Sequence, residues 1–310
     1  GDLDEMRRWA PHLDNSYVAV QGPPGTGKTY SGAHLIAELI RSGQRVGVTA
    51  FSHSAIDNLL SAVVAVCREH GDPELLRAVR RGPEPRSGGL SGVTYSGGNK
   101  ACANAKYNLV AGTTWLFAGK DLRNAPVDTL IVDEAGQLSL ADALAASGSA
   151  TNLILLGDPL QLPQVAQASH PGGSGASVLE HVLGDEATMP AERGVFLDMT
   201  RRMHPDVCRF ISERVYDGRL VSHETCAQQT TEFGTGLRWV PVRHEGRSTE
   251  SVEEAEAVAD EVGWLLGTDW TNQRGETRPL EASDIMVVAP YNDQVNLMRV
   301  TFEAQGMAGV

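Results

Sequence analysis

Short apolar runs alternate along this chain with stretches of helical spacing, and glycine, proline and polar residues punctuate them. Tyr17, Val18, Ala19 and Val20 form a run bounded by a glycine-rich loop, the pattern of a strand buried on both faces. Residues 31–41 follow with helical spacing, and Gly43 stops them. Residues 45–50, 109–112, 129–133 and 152–156 repeat the strand pattern, while 55–67 carries an apolar stripe suited to covering a sheet. Alternation of this kind predicts an α/β fold on a parallel sheet. Flanking it, residues 3–9 read as a short helix ended by Pro11. Residues 195–199 and 285–289 read as strands, 248–266 as a helix with glutamates on one face, and a last helix is expected from Asn292.

One stretch breaks the pattern. Six glycines fall between Gly82 and Gly98, among Arg77, Arg80, Arg81, Arg86, Lys100 and Lys106. Residues 71–108 therefore read as a Gly-rich basic insertion outside the core, able to touch a phosphodiester backbone or simply to lie in solvent.

The chemistry concentrates after the strand-like runs. Gly22, Pro23, Pro24, Gly25, Thr26, Gly27, Lys28 and Thr29 spell G-x-x-x-x-G-K-T between a strand and a helix, the context a phosphate loop requires. Glycines let successive N–H groups turn towards one anion, and the helix start adds its dipole. Lys28 can reach the β- and γ-phosphates, and Thr29 supplies a hydroxyl for Mg²⁺, with Tyr30 beside it. The run 129–133 ends in Asp133 and Glu134 at the carboxyl edge of the same sheet. There Asp133 suits the Mg²⁺ shell and Glu134 suits a base for the attacking water. Gln161, in the Gly157–Pro163 run GDPLQLP, is expected to face the γ-phosphate and to act as a switch on hydrolysis. The cofactors expected are thus ATP and Mg²⁺.

Charge narrows the partners. The 310 residues carry 26 Lys and Arg against 39 Asp and Glu, a net charge of −13, so a grip on nucleic acid has to come from a local groove. Cys67, Cys102, Cys208 and Cys226 show no C-x-x-C pair, which points to structural thiols in a reducing compartment. With no signal segment and no apolar run of bilayer length, the expected location is cytoplasmic, away from membranes. The start at Gly1 without Met suggests a tag remnant or a piece excised from a longer chain, with sequence missing upstream.

Taken together, GPPGTGKT, DEAGQ (133–137), GDPLQLP, RRMHP (201–205) and APYNDQ (289–294) stand in the order seen in superfamily 1 helicases. Over nearly its whole length the chain resembles the 5′-to-3′ branch that includes the nonsense-mediated-decay helicase and bacterial nuclease-helicase fusions. The resemblance implies a RecA-like ATP-binding domain over 1–193 and an incomplete second RecA-like domain over 194–310. It implies ATP in the cleft between them and a single nucleic-acid strand across both.

By the same resemblance Ser52 and His53, with Ala55 and Asp57, then Thr113 and Thr114, and finally Pro290 and Tyr291 contact that strand. Arg202 matches the arginine that reaches the γ-phosphate. Arg201 stands where the family has an aromatic that stacks on adenine, and a guanidinium can also stack. His204 reads as a structural hydrogen-bonding residue. The chain reaches Val310 before the family's later blocks, which implies a fragment that binds nucleotide and hydrolyses it poorly. DNA is favoured over RNA, and a nuclease domain upstream is suggested, by analogy alone. The competing reading is a P-loop ATPase that remodels a protein partner, for which a helical lid domain would be the mark.

Overall fold

A computed structural model describes residues 2–85, 88–161, 175–307 and 309. Arg86 of the basic stretch and Pro163 of GDPLQLP lie outside the described residues. The chain forms two compact units, Gly1–Thr200 with Ile211–Val221, and Arg201–Phe210 with Ser222–Val310.

The first unit is built on one sheet of β1 (Tyr17–Gln21), β2 (Val46–Ala50), β3 (Ala78–Arg81), β4 (Val93–Ser96), β5 (Leu109–Ala111), β6 (Val127–Asp133), β7 (Ala150–Gly157) and β8 (Gly194–Phe196). The order is β4-β3-β5-β2-β6-β7-β1-β8, and every neighbouring pair is parallel. Parallel neighbours need crossovers, and helices supply most of them. α1 (Asp2–Trp9) precedes the sheet; the crossover helices are α2 (Lys28–Arg41), α3 (His53–Glu69), α4 (Asn99–Cys102), α5 (Thr114–Ala118), α6 (Lys120–Asn124), α7 (Leu140–Ser147) and α8 (Val178–Leu183), and α9 (Pro205–Val215), divided between the two units, follows the sheet. The expected α/β fold with a parallel sheet is thus present. Its core forms where the apolar stripes of α2 and α3 (Leu35, Ile36, Leu39, Leu59, Leu60, Val63) meet Val46, Val48, Ile131 and Ile154, all fully buried.

The basic stretch is not an insertion. β3 lies between β4 and β5, with Ala78 and Val79 buried in the sheet. Its basic character hid this, because Arg80 is itself buried and answered internally by Asp57, Nε to Oδ1 at 2.8 Å. The boundary also moves. The segment assigned to the start of a second domain instead gives β8, which pairs with β1 at Ala19↔Gly194. A short second sheet pairs β9 (Met199–Thr200) with β10 (Val221–Ser222).

In the second unit, β11 (Thr230–Thr231), β12 (Asp269–Thr271) and β13 (Thr277–Pro279) form an antiparallel sheet. Beside it, α10 (Val252–Leu265) and α11 (Asn292–Ala304) share a core of Ala255, Ala259, Val262, Met298 and Phe302. Among the described residues this unit holds no parallel sheet. Residues 285–289 are not a strand, although they keep a strand's alternation. Ile285, Val287 and Ala289 pack on the helices, while Met286 and Val288 are 87% and 82% exposed. Without a hydrogen-bonding neighbour, alternation alone makes no sheet.

Two backbone turns fix the ends of β6 and β7 against each other. A Cβ placed on Gly136 would stand 2.3 Å from the carbonyl oxygen of Asp158, so only glycine permits this approach. Gly136→Ala is expected to destabilise the chain by about 1–3 kcal/mol, read as a lower denaturation midpoint. An unchanged midpoint would show that the two turns separate at no cost.

Candidate nucleotide site

Because the sheet is parallel, its carboxyl ends gather at one edge. The register sets Gln21 beside Gly157 and Ala50 beside Asp133, so the loops after β1, β2, β6 and β7 open together. Only β7 separates β1 from β6. Two strand spacings, about 10 Å, leave room for a polyphosphate between the loop after β1 and Asp133.

The loop after β1 has the shape its sequence requires. Gly25 and Gly27 take φ of 78° and 84°, the left-handed region that favours glycine, and Gly27 caps α2. Gly22 N–H donates to the Gly157 carbonyl at 2.8 Å, tying the loop to β7. The Thr26 hydroxyl donates to the Pro23 carbonyl at 2.8 Å, and the Thr200 hydroxyl to that of Pro24 at 2.9 Å. Lys28 folds back, its Nζ donating to the Gly22 carbonyl at 2.5 Å. No acidic side chain occupies the first turn of α2, so its N-terminal N–H groups and dipole are open to an anion. Thr29 and Tyr30 are exposed in that turn.

Asp133 ends β6 only 4% exposed. Burial, and then the neighbouring Glu134 charge, push its carboxyl up to about 6, while the Glu134 N–H at 3.0 Å and the Lys28 charge pull it down. Glu134 has a φ of 51°, a costly conformation for a non-glycine residue. It turns the chain sharply, and Ala135 N–H then bonds the Leu156 carbonyl at 2.8 Å. The donor set suits Mg²⁺. It consists of hard oxygens from one buried carboxylate short of partners and one hydroxyl, Thr29, to be completed by phosphate and water.

Gln161 lies at this edge, but its amide is turned to its own loop, Nε2 donating to Asp158 Oδ2 at 3.3 Å. Asp158 anchors a network that the sequence did not reveal. The Tyr216 hydroxyl donates to Oδ2 at 2.7 Å, Leu160 N–H to Oδ1 at 3.3 Å, and the fully buried Gln21 lies 3.5 Å from Oδ1. Burial and the Asp158 charge hold the Tyr216 phenol above its ordinary range, so it remains a donor. The signal available in sequence was a polar residue, Gln21, ending an apolar strand.

Farther along the same edge, Ser52 caps α3, its hydroxyl accepting from Ala55 N–H at 3.1 Å. His53 begins that helix, Thr113 caps α5 and Thr114 starts it. Arg201, Arg202, Pro290 and Tyr291 belong to the second unit and are exposed. There the Arg201 carbonyl accepts from Gln273 and the Arg202 carbonyl from Gln229, at 3.0 and 3.2 Å. His204 Nδ1 accepts from Asp206 N–H at 3.1 Å, a structural bond. Gln294, 4% exposed, clamps the backbone of Ser251 through two bonds of 2.6 and 3.1 Å.

The Asp133 environment makes a pH-dependent statement. Its carboxyl rises from the ordinary 3.8 to about 6 on folding, so its contribution to stability is complete below the lower value and is lost as pH rises through the upper one. In metal-free buffer Asp133→Asn should therefore stabilise the chain above about pH 6, by up to about 3 kcal/mol, and lose that advantage below about pH 4. Denaturant unfolding across that range checks it. A pH-independent difference would remove the burial argument.

A family model described as an AAA domain matches residues 10–181, and a second model of the same description matches 175–309. The DNA replication ATP-dependent helicase/nuclease DNA2 of Gallus gallus is 26% identical over 291 residues, covering 92% of this chain and 28% of that protein. The DNA polymerase alpha-associated DNA helicase A of Schizosaccharomyces pombe is 24% identical over 358 residues, covering 93% and 52%. The DNA-binding protein SMUBP-2 of Rattus norvegicus is 24% identical over 351 residues, covering 90% and 34%. The chain thus spans between about a quarter and a half of the length of these curated relatives. With one match over more than half of its residues, the chain belongs to the AAA domain family, and the relatives it is similar to include proteins named as helicases.

Proposed function

We propose that this chain is the motor portion of an ATP hydrolase that moves along single-stranded nucleic acid as a helicase or translocase. The observation that carries the reading is the gathering of the phosphate loop, Asp133, Glu134 and Gln161 at one edge of one parallel sheet. N–H groups of the loop and of the α2 start cradle the phosphates, and Lys28 exchanges the Gly22 carbonyl for phosphate oxygens. Thr29 and Asp133 hold Mg²⁺, which when bound neutralises phosphate charge. Glu134 orients the attacking water and takes its proton. Gln161, released from Asp158, senses the γ-phosphate. Arg202 and Arg201 keep the γ-phosphate and adenine roles that their motif suggests.

The strand contacts are assigned to Ser52, His53, Thr113, Thr114, Pro290 and Tyr291. DNA is the favoured strand, since the relatives are named as DNA helicases and DNA-binding proteins. A nuclease domain elsewhere in the parent protein follows from the helicase/nuclease names. No helix among the described residues is long and apolar enough to cross a membrane. With all four cysteines buried as thiols, the cytoplasm is the proposed compartment.

The test is nucleotide binding and ATP turnover by the 310-residue chain, with and without single-stranded DNA or RNA. Lys28→Ala should abolish binding. In the longer parent protein Glu134→Gln should keep binding and lower strand-stimulated turnover by about 10²–10⁴-fold. Turnover raised by a protein partner and by neither strand would overturn the reading.

A further inference from the structure

Along the carboxyl edge of the first unit, on the far side of β2 from the phosphate loop, lies a hollow of about 670 Å³. None of the nucleotide residues borders it. Its volume is within the roughly 300–1,000 Å³ range of small-ligand sites. His53 and Asp57 of α3, Arg80 and Arg81 of β3, Thr113 and Trp115 are among the residues that line it.

Trp115 stands out. It is 83% exposed, while the two residues after it, Leu116 and Phe117, are 2% and 0% exposed. The short helix α5 is thus anchored by its neighbours and offers a broad aromatic side chain to the hollow. A large indole left in water at a binding edge is what a planar ligand would cover.

The part of the lining that His53 and Arg80 form is preorganised. Arg80 Nη2 lies 3.0 Å from His53 Nδ1. A guanidinium has no acceptor, so Nδ1 must accept and the imidazole proton must sit on Nε2. Arg80 is held in turn by Asp57, at 2.8 and 3.4 Å, and by the Arg81 carbonyl. Arg80 is therefore a buried support that fixes His53 as an exposed N–H donor. Arg81 commits its Nε to Asn99 Oδ1 at 2.7 Å, and its terminal nitrogens bring further donors.

We propose that this hollow holds one unpaired nucleobase stacked on Trp115, with His53 Nε2–H and Arg81 donating to the adjoining phosphate. The inference rests on the nucleic-acid reading above and adds to it a single-strand selector. Contacts to phosphate and sugar accept duplex and single strand alike, whereas the face of a base inside a duplex is already covered by its neighbours. Stacking on Trp115 requires an unstacked base, and because every base has a π-face it carries little sequence preference. It is also indifferent to the 2′-hydroxyl, so DNA and RNA should lose equally when the indole is removed.

The experiment compares the 310-residue wild-type chain with Trp115→Ala and Trp115→Phe by fluorescence anisotropy. The probes are labelled mixed-sequence single-stranded DNA, RNA of the same sequence, and a DNA strand of the same length made of abasic sites. Trp115→Ala should weaken binding to both intact strands by about 5- to 150-fold, the span for losing one base–aromatic stack. Trp115→Phe should restore most of it, and on the abasic strand wild type and Trp115→Ala should bind alike. Since the side chain is exposed, melting temperatures of the variants should match wild type, which separates lost stacking from lost folding. If Trp115→Ala binds intact strands as wild type does, or loses as much on the abasic strand, base stacking is overturned while the nucleic-acid reading stands. If the wild-type chain binds no strand, both fall together.

Discussion

Hydrogen bonding of β7 to β1 on one side and to β6 on the other determines where the chemistry of this chain can sit. Parallel pairing brings carboxyl ends to a common edge, and the single intervening strand sets the distance between a loop of N–H donors and a pair of carboxylates. The backbone contact of Gly136 with Asp158 then locks the turn after β6 to the turn after β7. Gly22 N–H, bonded to the Gly157 carbonyl, draws the phosphate loop into the same assembly.

Two buried aspartates at this edge show how surroundings divide the work. Asp158 is met by the Tyr216 hydroxyl, the Gln161 amide and Leu160 N–H, with the Gln21 amide at the limit of reach. Such a carboxylate is satisfied, and its work is to hold a loop. Among the described residues Asp133 has one N–H donor, that of Glu134, and it is left short of compensation in a buried position. A buried carboxylate in that condition either keeps a proton or takes a cation. That gap in its hydrogen bonding suits it to a cation, and the completeness of the Asp158 network suits that residue to holding its loop in place.

The hollow proposed for an unpaired base follows a similar division between support and contact. Arg80 would be counted as a nucleic-acid contact on charge alone, yet it is buried against Asp57 and fixes the tautomer of His53. Trp115, left open to a ligand beside His53 and Arg81, carries no charge at all. With a net charge of −13, a chain of this kind gains more from a few oriented donors and one aromatic face than from bulk attraction.

What was legible in advance was local. Strand periodicity, the G-x-x-x-x-G-K-T spacing and the aspartate–glutamate pair after an apolar run are each set within about ten residues by backbone sterics and burial, so the sequence by itself determined the parallel α/β class and the phosphate-loop residues. Long-range pairing decided the rest. Composition suggested that residues 71–108 were solvent-facing, because it does not say that Asp57 neutralises Arg80 across 23 positions of chain. Alternation in 285–289 suggested a strand, because it does not say whether a neighbour is present to pair with it. The pairing of β8 with β1, the Tyr216–Asp158 bond across 58 positions and the hollow beneath Trp115 exist only once distant segments meet, and only the tertiary structure supplies those meetings.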